Sequence, residues 1–320
     1  MSAHNQPPAQ AVVDLPVAAT VFGAFASVAG QLGLVARAAK GAIALLVAAS
    51  LLSLVLPAGG GSSLFLILVS FAATAHFGLN WCRVMLLGPA GLPARSLGWR
   101  EPHWRFFGYG LLLFLVMLLS SLPMTAIASI IAGILGLAAS PGEAGPRLGF
   151  VLLLVFIGMI YVLARLGFIF PAVAVEERYS LRLAWQHTAG QGQRMMAALF
   201  AAGFPIAIAQ LLLTALLLEG LFGVSLSELV PALPEPGAAL PDGALPPDAA
   251  GATQAEPPSA AAILVFDLVA AVGNLLSFAV LFSLLSLAFR TCTGWVPAAP
   301  DTLPARTEEE GPEEEGPGGS

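Results

Sequence analysis

Six long apolar stretches constrain this chain more than any other feature of its sequence. They cover approximately residues 41–57, 64–86, 107–137, 148–170, 196–220 and 261–289. The hydrocarbon core of a bilayer is about 30 Å thick, and a helix needs roughly 20 apolar residues to cross it. In lipid every backbone polar group needs an internal partner, which only helices and closed barrels provide. The sequence therefore predicts an all-α polytopic membrane helical bundle with six transmembrane helices.

The scarcity of charged residues supports this prediction. Only 10% of the 320 residues are charged and 58% are hydrophobic, whereas a soluble domain carries about 25% charged residues. So few charges cannot cover a water-facing surface, and lipid is the expected solvent for most of the chain. Twelve of the 13 basic residues are arginine, and this usage is typical of high-GC bacterial genomes. We therefore expect a multi-pass protein of the bacterial inner (cytoplasmic) membrane.

Lysine and arginine collect on alternate connections between the apolar stretches. Twelve of the 13 basic residues fall on one side, and Arg147 alone falls on the other. Because cytoplasmic connections carry an excess of these residues, the pattern predicts that both termini are cytoplasmic. It also places Cys82 and Cys292 near the cytoplasmic face, where thiols stay reduced.

Three segments have a composition that opposes folding. Residues 1–15 and the acidic cytoplasmic tail, residues 291–320, are expected to be disordered, as is the outside loop, residues 222–260, which is rich in Pro and Ala. Such segments bury too little apolar area to offset the entropy of ordering. The transmembrane domain therefore comprises residues 16–290.

A short amphipathic helix is predicted before the first span. Its apolar stripe consists of Val17, Val21, Phe25, Val28 and Leu32, and its opposite face carries Thr20, Ser27 and Gln31. This helical spacing, with one polar face, favours an N-terminal helix that lies in the cytoplasmic interface and packs under the bundle.

Two spans have unusual lengths. The first reaches full length only if it includes residues before Lys40 or if the bilayer thins locally. The third is long for one span, and Pro123 is expected to kink it or to divide it into two helices.

An interfacial turn is predicted after the fourth span. Pro171 is expected to end that span, and Glu176 lies where the chain leaves the bilayer. Ser180 is a candidate N-cap of a short helix. Trp185, within that helix, suits the headgroup layer because it is amphipathic.

The residues of this turn resemble the central connection of six-helix bacterial integral membrane proteins. That family is related to the membrane domain attached to some glycerophosphoryl diester phosphodiesterases. The matching residues are Arg165, Pro171, Ala172, Glu176, Ser180, Leu181, Ala184, Trp185, Thr188 and Gly190. The resemblance implies a six-helix membrane fold and brings no activity, because the hydrolase of those proteins resides in a separate domain.

Sequence motifs for catalysis and cofactor binding are missing. The chain contains no HExxH, CxxC, GxSxG or phosphate-binding glycine loop. We therefore predict no catalytic residues, no metal site and no cofactor, and hence a protein that is not an enzyme. The arginines are explained by topology, so no nucleic-acid partner is expected either.

Six intramembrane polar residues remain to be explained. They are His76, Asn80, Arg165, Gln210, Asp267 and Asn274. Polar residues in spans face the bundle interior. They either hydrogen-bond between helices and fix the packing, or they line a cavity for a solute, a lipid headgroup or a proton.

The cavity hypothesis names four of these residues, and Arg165 has a prediction of its own. His76, Asn80, Arg165 and Asn274 would line a polar cavity that faces the cytoplasm. Arg165 is predicted to staple the helix break at Pro171, and the alternative is that it binds a phosphate group. Asn80 is its nearest candidate partner by depth, helix-terminal carbonyls freed around Pro171 are the expected acceptors, and Glu176 could fold back towards it.

The leading functional hypothesis is a non-enzymatic scaffold, accessory or membrane-organising protein. It is motivated by the missing chemical motifs and by the acidic segments on both faces. The alternative is a small transporter or lipid-handling protein. The expected partners are membrane lipid and either another protein or a second copy of this chain.

Overall fold

The described residues form helices throughout. The computed structural model describes residues 14–53, 60–93, 98–134, 144–177, 179–223 and 259–297. Its helices are α1 (Val17–Gly30), α2 (Leu32–Ser53), α3 (Gly60–Leu87), α4 (Glu101–Ile134), α5 (Ala144–Leu166), α6 (Ile169–Ala174), α7 (Leu181–His187), α8 (Gly192–Phe222) and α9 (Ala260–Thr293). A 3-10 turn, Pro89–Gly91, follows α3. The described part of the chain contains no strand, so the all-α prediction is confirmed.

Six helical segments of the described residues are long and apolar enough to cross a membrane. They are α2, the stretch of α3 from Leu64, α4 to Ile131, the α5–α6 segment from Gly149 to Ala174, α8 and α9. Large apolar side chains such as Leu118, Leu153 and Leu211 are exposed on their outer surfaces. Lipid tails solvate such a surface well and water does not. The prediction of a six-helix membrane bundle is therefore confirmed.

Several boundaries differ from those predicted. The first span does include residues before Lys40, because α2 begins at Leu32. Pro123 lies inside α4, which continues past it as one helix, so the proline does not divide the third span. Leu15, which we assigned to a disordered terminus, is buried. The tail predicted to be disordered from residue 291 begins later, because α9 continues to Thr293. The disorder predictions for residues 1–13, 224–258 and 298–320 lie outside the described residues.

Helix α1 packs on α8 and α9 with a face slightly different from the predicted stripe. Its buried residues are Thr20, Val21, Ala24 and Val28. Thr20 was expected on the polar face, but its hydroxyl donates to the Pro16 carbonyl oxygen at 2.9 Å, which allows its burial. Leu32 was expected inside, yet it is 57% exposed because the chain has already turned into α2.

The spanning helices form a ring. Each spanning helix contacts the next in the order α2, α3, α4, α5, α8 and α9, and α9 contacts α2 to close the ring. The short helix α6 packs against α3, α4 and α9 at one end of this ring. That end also holds α1, α7 and most of the buried core, including Phe77, Trp81, Phe168, Met195 and Leu284.

The end of the ring that holds α6 and α7 is called the basic end here. Eight described arginines lie there, namely Arg37, Arg83, Arg100, Arg105, Arg165, Arg182, Arg194 and Arg290. At the opposite end, α2 leads to α3, α4 to α5 and α8 to α9. The orientation of the two ends across the membrane stays a prediction from the arginine pattern.

Candidate functional site

Arg165 connects the end of α5 to the end of α7. Its side chain is only 7% exposed. Nη1 donates to the Thr188 carbonyl oxygen at 2.5 Å, and Nη2 donates to that of Trp185 at 2.8 Å. The guanidinium carbon lies 4.2 Å from the Trp185 ring centroid. The Thr188 hydroxyl returns a bond to the Arg165 carbonyl at 3.1 Å. The guanidinium also lies at the C-terminal end of α7, where the negative end of the helix dipole stabilises a cation.

Arg165 therefore binds helix-terminal carbonyls as predicted, but they belong to the end of α7 and not to the region of Pro171. Asn80 and Glu176 are not its partners, and the predicted position of the helix break was wrong. The chain breaks at Gly167, whose N–H donates to the Leu163 carbonyl at 2.8 Å. A Cβ at Gly167 would lie 2.9 Å from Cδ2 of Leu285, which explains the glycine. Pro171 instead lies in the first turn of α6, where its missing N–H leaves no helical bond unmade.

Arg83 binds the end of α6 in a similar way. Its Nε donates to the Ala174 carbonyl oxygen at 2.9 Å. Its Nη2 lies 2.6 Å from Glu176 Oε1, with which it forms an ion pair. Glu176 therefore pairs with Arg83 and not with Arg165. Two arginines from different spans thus bind the carbonyl ends of the two short helices.

Helix α6 ends in a Schellman motif with an unusual residue. The Glu177 N–H donates to the Ala172 carbonyl at 3.0 Å, and the Glu176 N–H donates to that of Val173 at 3.1 Å. Glu176 has φ of 62°, a left-handed conformation that glycine normally supplies at this position. A side chain there carries backbone strain of about 1–2 kcal/mol.

The α7 helix begins as predicted. The Ser180 side chain accepts from the Leu183 N–H at 3.2 Å and caps the helix. Trp185 is partly exposed, and its ring covers the Arg165 guanidinium. Its predicted position in the headgroup layer stays a prediction.

A buried histidine cluster joins α3 to the start of α4. His76 and Asn80 lie one turn apart, with Asn80 Nδ2 and His76 Nε2 separated by 3.3 Å. The His103 ring stacks on His76 with centroids 4.8 Å apart, and Trp99 stacks on it at 5.9 Å. His103 Nδ1 accepts from the Arg100 N–H at 3.1 Å, which caps the start of α4. The cluster therefore holds the α3–α4 connection together.

Tyr179 fastens the segment between α6 and α7. Its hydroxyl lies 2.7 Å from His187 Nδ1, and its carbonyl accepts from the Tyr109 hydroxyl at 3.3 Å. Burial raises the pKa of the Tyr179 phenol above its ordinary value, and the nearby Glu177 carboxylate and Cys292 raise it further. Tyr179 is therefore neutral near pH 7 and acts as a structural contact.

A cavity of about 840 Å³ lies inside the ring, between α2, α3, α4 and α9. One stripe of α9 lines it at helical spacing, namely Asp267, Ala270, Ala271, Asn274, Leu275, Phe278, Leu281, Phe282 and Leu285. At 1.5 Å per residue, this stripe is about 27 Å long. The cavity therefore extends along most of a bilayer core, which is about 30 Å thick.

Three aromatic rings bound the cavity on the side of the basic end. Phe106 lies 4.9 Å from Phe170 and 5.7 Å from Phe282, measured between ring centroids. Phe170 belongs to α6, so the helix break brings it under the cavity. A Cβ at Gly78 would come within 2.6 Å of Phe282 and 2.9 Å of Phe106, so a glycine is needed for this packing.

The polar groups of the cavity lie toward the opposite end. They are Ser50 on α2, Ser70 and Thr74 on α3, and Asp267 and Asn274 on α9. Asp267 and Asn274 are seven residues apart and therefore share one face of α9. Among the described residues, neither has a hydrogen-bond or ion-pair partner. The cavity is thus amphipathic along its length.

The six intramembrane polar residues do not converge on one site. His76 and Asn80 lie in the histidine cluster, and Arg165 lies against α7. Gln210 Nε2 donates to the Ser277 hydroxyl at 2.8 Å and links α8 to α9. His76, Asn80, Arg165 and Gln210 thus make contacts within the helix bundle, whereas Asp267 and Asn274 line the cavity.

The cytoplasm-facing polar cavity expected from His76, Asn80, Arg165 and Asn274 does not form. Of these four residues only Asn274 lines the large cavity, where Asp267 joins it. Similar depth in the membrane does not place two side chains on facing sides of their helices, and this caused the error.

Sequence reasoning missed several residues that complete these contacts. Thr188 and Arg83 bind the ends of α5 and α6, and His103 stacks on His76. His103 stands three residues after Arg100, which is the spacing of a helix-capping side chain. That spacing was the sequence signal from which the capping role of His103 could have been predicted.

No known protein family, curated protein or solved structure matches this chain. The resemblance of the α6–α7 segment to phosphodiesterase-associated membrane domains therefore stays a prediction.

Proposed function

We propose that this protein binds a membrane lipid inside the helix ring. The observation that carries the proposal is the 840 Å³ cavity, with its aromatic boundary and its few polar groups. Sites for small molecules have volumes of about 300–1,000 Å³, mostly apolar walls and a few placed polar groups. The cavity has all three properties. Its length of about 27 Å along α9 suits an acyl chain that runs parallel to the helices.

The lining favours a lipid over a water-soluble solute. Most lining side chains are Leu, Ile, Ala, Phe and Met. A polar solute would lose its hydrogen bonds to water and regain few of them there. An acyl chain loses none, and it fills space that would otherwise lack van der Waals contacts. These considerations support the lipid-handling hypothesis over transport of a polar solute.

The scaffold hypothesis from the sequence stays open beside this proposal. A scaffold requires no occupant of the cavity, and its contacts with a protein partner would lie on the outer surface. Purified protein that carries a partner protein but no lipid would therefore favour it. Membrane identity and the cytoplasmic position of both termini are part of the same set of proposals.

A cavity-filling substitution tests lipid binding. Ala271→Phe adds a ring in the middle of the lining stripe, where the free volume of the cavity can take it. We expect a severalfold loss of co-purified lipid, measured by native mass spectrometry after mild detergent extraction, with the melting temperature unchanged or raised.

The neighbouring position provides a matched control. Val272 is 40% exposed and does not line the cavity. Val272→Phe should keep the lipid occupancy of the wild type. Equal occupancy in both variants, or a wild-type protein that carries no lipid, would contradict the proposal.

A further inference from the structure

We infer that the polar part of the cavity selects an amphiphile that carries a positively charged ammonium group, and that Asp267 is the selecting residue. The inference rests on the proposed lipid site and adds the chemical class of the headgroup. It starts from one carboxylate that the described residues leave without a partner.

Asp267 is the described carboxylate that most needs a cation. It lies seven residues into α9, about 10 Å along the axis from Ala260. A carboxylate inside a membrane helix is costly and normally pairs with a cation or with backbone groups. The three ion pairs among the described residues all lie at the basic end, namely Arg83–Glu176, Arg105–Glu101 and Arg194–Asp14.

The described arginines of the basic end lie far from Asp267 along the helix axes. On α9 itself Arg290 is 23 residues away, about 35 Å at helical rise. Arg147, the basic residue at the opposite end of the ring, belongs to the start of α5, which packs against α4 and α8. A cationic ligand in the cavity therefore offers the partner that the described residues do not.

The order of groups along the cavity matches such an amphiphile. Asp267 comes first, and Asn274 follows two turns further along the same face of α9. The Asn274 amide can donate to an ester or phosphate oxygen, and Ser70 offers a hydroxyl from α3. The Thr74 hydroxyl donates to the Ser70 carbonyl at 2.9 Å and can still accept a hydrogen bond. The aromatic boundary formed by Phe106, Phe170 and Phe282 then receives the end of the chain. An anionic headgroup would meet the Asp267 carboxylate and be repelled.

Two matched ligand pairs test the inference and distinguish the source of the ammonium group. One pair is phosphatidylethanolamine and phosphatidylglycerol with identical chains. The other is tetradecylamine and tetradecanol, which carry no phosphate. Each pair competes at equal concentration for delipidated protein, and native mass spectrometry measures the bound ratio.

We expect the wild type to prefer the ammonium member of at least one pair by about tenfold, the difference that one charge-assisted hydrogen bond supplies. The pair that shows the preference identifies the source as an aminophospholipid or a simple amine. Asp267→Asn should reduce the ratio to near one and still bind the chain.

Two control variants exclude a general effect of charge. Glu219→Gln removes an exposed carboxylate near the end of α8 that does not line the cavity. Arg147→Gln removes the basic residue of the opposite end. Both should keep the preference of the wild type, and loss of the preference in Arg147→Gln would overturn the assignment to Asp267.

The outcomes separate the inference from the proposed function. Binding of all four amphiphiles without preference, or a preference that persists in Asp267→Asn, overturns the headgroup assignment and leaves lipid binding intact. Absence of binding in the wild type overturns both. Binding that Ala271→Phe does not reduce places the lipid outside the cavity and overturns both as well.

Discussion

Arg165 shows how a single buried arginine is accommodated in an apolar bundle. Nη1 and Nη2 donate to the carbonyl oxygens of Thr188 and Trp185, while the buried Nε has no hydrogen-bond partner among the described residues. The Arg165 side chain can pack closely against the start of α8 because position 192 is glycine. A Cβ there would lie 2.9 Å from Cδ of Arg165. The planar fork of the guanidinium can bind both carbonyls at once, which a lysine cannot do.

Removing this side chain should destabilise the protein. Arg165→Leu removes the guanidinium donors of two carbonyl oxygens at the end of α7. The Trp185 carbonyl keeps the Thr188 hydroxyl at 3.1 Å, and the Thr188 carbonyl loses its side-chain donor, at about 1–3 kcal/mol for a buried group. We expect a clear fall in melting temperature in detergent, and Arg165→Lys should recover only part of it.

Arg182 provides the control for that substitution. It is exposed on α7, so Arg182→Leu should change the free energy of unfolding by about 0.5 kcal/mol at most. Equal melting temperatures for the Arg165 and Arg182 variants would show that the Arg165 contacts do not stabilise the fold.

At the scale of elements, the short helix α6 depends on how its end is made. Its Schellman motif places Glu176 at positive φ, and Arg83 holds the Glu176 side chain from α3. The Glu176 side chain of this ion pair is exposed to solvent, so the pair contributes little to the free energy of unfolding. The backbone strain and the ion pair therefore act in opposite directions at one residue.

Two substitutions at Glu176 separate these effects. Both Glu176→Gly and Glu176→Ala remove the ion pair, but only glycine adopts positive φ without strain. We expect the glycine variant to be more stable than the alanine variant by about 1 kcal/mol, measured by thermal or denaturant unfolding.

Gly190 supplies the reverse control. It has φ of 79° and open space around its Cα, so Gly190→Ala should lower stability by a similar amount, about 1 kcal/mol. If the glycine and alanine variants at Glu176 had the same stability, the backbone there would not be strained.

At the scale of the whole molecule, the arginine distribution makes a prediction about sidedness. The native cysteines are poor reporters, because Cys82 is completely buried and would be protected from a reagent on either side. Introduced cysteines on a background of Cys82→Ala and Cys292→Ala avoid this problem.

We expect Ala244→Cys, in the long acidic connection, to react with a membrane-impermeant maleimide in intact spheroplasts. Arg182→Cys, on the exposed face of α7, should react only after permeabilisation. The labelled fraction is read from a gel shift. The opposite pattern would invert the orientation, and with it the membrane leaflet that Asp267 faces.

Much of the element level could be predicted from local sequence. Ser180 was correctly identified as the cap of α7, and the apolar stretches gave six spans, because capping and hydropathy depend on neighbouring residues. Pro171 misled the prediction, since a proline fits the first turn of a helix as well as the end of one. The break instead lies at Gly167, where the side chain of Leu285, which is distant in sequence, leaves no room for a Cβ.

The sequence by itself determined the class of fold, because lipid imposes the same demand on each residue of a span. It also determined which residues were costly, including Arg165, Asp267 and Asn274. Only the tertiary structure decided what those residues contact. Depth along a helix follows from residue number, but the direction of a side chain around the ring depends on how helices pack. The same packing left a cavity beside Asp267 and bound Arg165 to α7.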